Sequence, residues 1–97
     1  MNQQLTSIKN QLREGHCEEA IEALRHLLET EASTATAAQT AQLYYLLGNA
    51  YRKQGDWQGA LNNYQEAVAR DAHSPAASAR NMVMDILNFY NKDMFNQ

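Results

Sequence analysis

Two apolar stripes follow one another in residues 41–74, separated by the turn Gln54-Gly55-Asp56. Leu43, Tyr44, Leu47, Ala50 and Tyr51 recur at helical spacing before the turn, and Trp57, Ala60, Leu61, Tyr64, Ala67 and Val68 recur after it. Each stripe is wide enough that only a packed neighbour removes it from water, so the two segments are expected to form a helical hairpin. Small residues stand where such helices must approach, Gly48 on the first and Ala60 and Ala67 on the second. The expected close contact is Gly48 against Ala60, with Leu47, Tyr51 and Tyr64 supplying the bulk around it.

The second half of this pattern has an earlier copy. Cys17, Ala20, Ile21, Leu24, Leu27 and Leu28 reproduce Trp57, Ala60, Leu61, Tyr64, Ala67 and Val68 forty residues upstream, and Gly15 pairs with Gly55. Leu5, Ile8 and Leu12 mark the helix before Gly15, a residue suited to the left-handed backbone that closes a helix. In this copy Ile8 and Leu27 stand where small residues are wanted, so its two helices should pack farther apart. Between the copies lies the small, polar segment Ala32 to Thr40, which offers Ser33, Thr34 and Thr36 as N-caps. After the second copy, His73-Ser74-Pro75 signals another helix start, because Ser74 caps and Pro75 has no amide to satisfy. The stripe Ala76, Ala79, Val83, Ile86, Leu87 and Tyr90 carries that helix to about Tyr90. A mostly polar tail, 91–97, follows, with Met94 and Phe95 available to fold back.

With Ala41 as its first position, the better copy resembles the tetratricopeptide repeat, a 34-residue helix-turn-helix unit. Tyr44, Leu47, Gly48, Tyr51, Gly55, Ala60, Tyr64 and Ala67 match its pattern, and Ala72 departs from it where the family has proline. The resemblance implies one all-α domain over 1–97, an antiparallel helix-turn-helix array of five helices forming a fragment of a right-handed α-solenoid. Residues 1–31 would be a degenerate repeat, 32–40 a connector, 41–74 the well-matched repeat and 75–90 a terminal helix. It also implies a noncatalytic scaffold that binds a protein or peptide partner in a concave groove. The family's groove positions fall on Tyr45, Asn49, Arg52 and Lys53, with Arg80 on the next unit. Some members clamp a C-terminal carboxylate with lysines in this groove. Of that set only Asn49 and Arg80 match, while Tyr45 and Ala76 replace lysines.

The chain has 97 residues, with 8 basic and 11 acidic groups and a formal charge of −3. Residues 1–40 carry 6 acidic and 3 basic groups, and residues 41–97 carry 5 of each. No basic run marks a nucleic-acid-binding face, so no nucleic-acid partner is expected. The first residues lack the apolar core of a secretory signal, and the longest apolar run is too short for a membrane span, so a cytoplasmic protein with no membrane partner is expected. A single cysteine, Cys17, has no internal partner for a disulfide.

Candidate chemistry is sparse. His16, Cys17 and His26 are metal-ligand types, but Cys17 and His26 lie nine residues apart on a helix and point apart, so no metal and no cofactor is expected. Gly48 to Gly55 has glycines and Lys53 without the order a phosphate loop requires. Glu18, Glu19 and Glu22 read as a solvated face, and no catalytic constellation can be assembled. The fifth helix holds more apolar surface than one neighbour buries. Met82 and Phe89, seven residues apart, share a face away from Val83 and Tyr90, which makes them candidates for weak homodimerisation or partner contact.

Overall fold

The computed structural model describes residues 1–95 and, for residues 90–95, the backbone alone. Five helices occur in chain order: α1 (Asn2–Arg13), α2 (Cys17–Glu31), α3 (Ala37–Lys53), α4 (Trp57–Arg70) and α5 (Ala76–Phe95). Among the described residues there is no strand. Each helix packs chiefly on its neighbours in sequence, most extensively between α3 and α4 and least between α1 and α2. Short connections between successive helices force reversal at each step. The odd-numbered helices therefore form one layer and the even-numbered helices the other, as an all-α repeat array requires.

Both hairpin turns depend on glycine. Gly15 has φ +87° and Gly55 φ +79°, and apart from the glycine and its chain neighbours no atom lies within 4 Å of the place a Cβ would occupy in either. Backbone conformation alone selects glycine there, since L-residues are strained in this region. Capping differs between the copies. Asp56 Oδ1 accepts the Gly59 amide at 2.9 Å at the start of α4, whereas His16, forty residues earlier, places no side-chain cap on α2. At the start of α3, Thr36 Oγ1 accepts the Gln39 amide at 3.1 Å and Gln39 Oε1 accepts the Thr36 amide at 2.8 Å, a reciprocal pair that satisfies two otherwise orphaned donors. Ser74 caps α5 as expected, with its Oγ accepting the Ala76 amide at 3.1 Å.

The core forms two clusters that share α3. Leu43, Leu46, Leu47 and Ala50 close one cluster with Leu5, Ile8, Leu12, Ala20, Leu24 and Leu27. On the other side Ala41 joins Ala60, Tyr64, Ala67, Ala76, Ala79 and Val83. Tyr44 and Tyr51 are half-buried and touch both clusters. Burial along α2 from Ala20 to Thr30 repeats that along α4 from Ala60 to Arg70 residue by residue, so the internal repeat holds in three dimensions.

Two expectations about packing and extent are corrected. Gly48 makes its close approach to Tyr64, not Ala60: a Cβ at Gly48 would sit inside the van der Waals shell of the Tyr64 ring. A hole on α3 thus receives the largest fully buried side chain of α4. The equivalent positions in the first hairpin are Ile8 and Leu24, both in the core, so two medium side chains replace a small and large pair. The second correction concerns α5, which continues through the expected tail to Phe95. Helical backbone over 91–95 carries the chain onward along the helix axis, so this segment does not fold back. The side chains of Met94 and Phe95 lie outside the described residues.

A candidate docking groove along α3

Tyr45, Asn49 and Arg52 fall at i, i+4 and i+7 on α3, so the helix itself places them on one face. Tyr45 packs against the buried ring of Tyr64, with centroids 5.9 Å apart and planes inclined by 37°. Tyr64 donates its hydroxyl hydrogen to Asn49 Oδ1 at 2.5 Å. Burial pushes the Tyr64 phenol above its ordinary pKa, the Arg52 guanidinium draws it back down, and Tyr45 adds a smaller upward push. The floor of this face is therefore a hydrogen-bonded aromatic pair anchored in the core, and Asn49 already spends its carbonyl on it. Its amide group remains available to a ligand.

A groove of about 310 Å³ runs beside Tyr45, lined by Lys9 of α1, by Ala38, Gln42 and Leu46 of α3, and by Asp71, His73 and Pro75 ahead of α5. Two helices of the odd layer and the connection ahead of α5 thus border one concavity. Lys9 is forty residues before Asn49 and holds the corresponding place in the first copy. It was missed in the sequence because that copy is degenerate, although the repeat offset alone identifies it.

The five expected groove residues do not all gather here. Lys53 is exposed and lines a different cleft, with Gly15, His16, Cys17, Glu18, Glu19 and Gln54 at the turn end of the molecule. Arg80 is half-buried on α5, where its Nε is buried with no hydrogen-bond partner and its Nη2 reaches Asn81 Oδ1 at 3.4 Å. Tyr44 and Tyr51 pack half-buried against the core, and each also receives a guanidinium: Arg70 lies 4.4 Å from the Tyr44 ring centre, and Arg25 bonds the Tyr51 hydroxyl.

A wider cleft of about 530 Å³ opens between α1 and α2, with Ile8, Ala23 and Leu27 on its apolar side and Gln3, Gln4 and Gln11 on its polar side. It follows from the sparse contact of the first hairpin, where Ile8 and Leu27 take the places of small residues. Gln11 Oε1 is buried beside it without a partner.

On α5, Met82, Met84 and Phe89 are 50%, 41% and 63% exposed, so the surplus apolar surface expected there is present. Among the described residues no group of three or more His, Cys, Asp or Glu side chains could hold a metal ion, and no helix is long and apolar enough to cross a membrane.

Comparison with known proteins agrees with this geometry. The model of the tetratricopeptide repeat family matches residues 41–74. The chain is similar to a Bacteroides fragilis protein of known solution NMR structure, with 54% identity over 100% of this chain and 92% of that one and a TM-score of 0.82. No curated protein matches the chain.

Proposed function

Because the chain belongs to the tetratricopeptide-repeat family, whose repeats are in general protein-interaction modules, we propose that it is a noncatalytic scaffold holding a peptide segment of a partner protein against α3. The observation that carries this reading is the line Tyr45, Asn49 and Arg52 on one face of α3, with Tyr45 opening onto a concavity shared by α1, α3 and the connection between α4 and α5. Apolar floor, amide and guanidinium offer a peptide both an aromatic contact and charge-assisted hydrogen bonds. Arg80 on α5 extends the same layer toward the C-terminus.

Affinity purification from the native host, followed by titration of the identified partner into isotope-labelled protein, tests this. The Tyr45, Asn49 and Arg52 amides should move first, and Tyr45→Ala with Arg52→Ala should weaken the complex at least about tenfold. Perturbations confined to the Glu18, Glu19 and Glu22 face would contradict it.

The exposure of Met82, Met84 and Phe89 favours a second reading, weak self-association through α5. Light scattering at high concentration should then report a dimer that Met82→Gln with Phe89→Gln returns to monomer while helicity is kept. A wild type that stays monomeric removes this reading.

A further inference from the structure

The small net charge conceals a separation between the two layers. α1, α3 and α5 hold six of the eight basic residues and two of the eleven acidic ones, whereas α2 and α4 hold two basic and six acidic. The remaining three carboxylates lie in the connections. Division of the chain at residue 40 hides this, because the charge alternates by helix and not by half.

The cations described on the odd layer also form no ion pair. Among the described residues the ion pairs are His16 with Glu14 and Glu19, and Arg70 with Glu66, none of which involves α1, α3 or α5. Lys9 borders the groove, Arg52 lies on the groove face of α3, and Arg80 keeps a buried Nε without a partner. The groove has one carboxylate of its own, Asp71, whose Oδ1 is occupied by the His73 amide at 3.0 Å. On the odd helices themselves the acidic side chain among the described residues is Asp85, and it is exposed.

Resting on the docking face just described, we propose that its partner is an acidic peptide segment whose side-chain carboxylates run along the odd-helix layer past Lys9, Arg52 and Arg80. These cations come from three different helices and do not converge on one point, so the match is to several spaced carboxylates and not to one chain terminus. A nucleic-acid duplex fits less well, since it needs a broad continuous basic face, and here Asp71 interrupts a narrow groove on a protein of net negative charge.

The test uses the full chain, isotope-labelled, and four probes: a short glutamate-rich peptide with an amidated C-terminus, the same peptide with a free C-terminus, its glutamine counterpart, and a short DNA duplex. The glutamate peptides should move the Tyr45, Asn49 and Arg52 amides with at least about tenfold higher affinity than the glutamine peptide, whether or not the terminus is amidated. Raising salt from about 0.1 M to about 1 M shortens the screening length from about 10 Å to about 3 Å, so it should erase most of that difference. Lys9→Gln with Arg52→Gln should erase it too, with circular dichroism unchanged.

If the glutamine peptide moves the same amides equally well, the acidic partner is wrong and the docking face stands. If no peptide moves them, both fall. A dependence on the free C-terminus, or displacement of the glutamate peptide by DNA, also overturns the proposal, in favour of a terminal carboxylate or a nucleic acid.

Discussion

The Tyr64 side chain links the core of the protein to its surface, since its ring fills the hole at Gly48 and its hydroxyl bonds Asn49. Its raised pKa makes it a source of alkaline instability. The phenol holds its proton more tightly when folded than when unfolded, so its contribution is fully present below the unfolded value of about 10 and is lost as pH rises through the folded value. Denaturation followed across that range should therefore show a decline that Tyr64→Phe flattens; an unchanged pH dependence would place the burial of this phenol in error. Steric fit gives a second expectation. Gly48→Ile alone should cost about 1–3 kcal/mol by overpacking. Combined with Tyr64→Leu it copies the pair Ile8 and Leu24 of the first hairpin, and a double-mutant cycle in urea should then return part of the loss as favourable coupling. Additive losses would show that the two sites do not share one hole. Tyr45, Asn49 and Arg52 were singled out through the family resemblance, whose groove positions fall on them; helical spacing adds only that they share one face of α3. The partner of Gly48 was not legible, because periodicity assigns a side chain to a face without saying which opposing side chain enters the space it leaves.

At the level of helices, punctuation residues carried most of the information. Gly15 and Gly55 mark the two turns, and their open surroundings mean that replacement costs backbone strain and nothing else. Gly15→Ala and Gly55→Ala should each destabilise by about 1–2 kcal/mol, the penalty of an L-residue in the left-handed region. Thermal unfolding checks this, and a variant as stable as wild type would show that the turn relaxes into another conformation. Of Ser33, Thr34 and Thr36, the structure selects Thr36, because Gln39 stands three residues later and completes the reciprocal pair. Thr36→Ala should accordingly cost about 1 kcal/mol, with Ser33→Ala near neutral. The end of α5 was not legible in the same way. Asn91, Lys92 and Asp93 look like a polar tail, but nothing among them breaks a helix, and polarity without glycine or proline does not stop one. The start of α1 at Asn2 illustrates the same limit, since the apolar stripe begins only at Leu5.

Across the whole molecule, the two copies differ in how well they are held together. The second hairpin has the most extensive helix contact, a side-chain cap from Asp56 and a large side chain seated on glycine. The first has the sparsest contact, no side-chain cap at His16, and a cleft of about 530 Å³ beside Ile8 and Leu27. In an array where each unit touches only its neighbours, stability adds up locally and an end can open while the rest stays folded. α1 is bound mainly through α2, by the sparsest contact between successive helices, so it is the element held most loosely. Hydrogen exchange on the native protein should therefore show α1 amides exchanging first, α2 next, and the α3–α4 pair last, at the rate of global unfolding. Ile8→Ala, which removes a fully buried side chain from that loose hairpin, should speed exchange in α1 and α2 and leave α3 and α4 nearly unchanged. Uniform acceleration in all helices would mean that the leucines of α3 bind both copies into one cooperative unit. The order matters for the docking groove, because Lys9 enters it only while α1 is in place. An opening first hairpin would withdraw that cation, so Ile8→Ala should weaken the glutamate-rich peptide more than its glutamine counterpart even though Ile8 lies in the core.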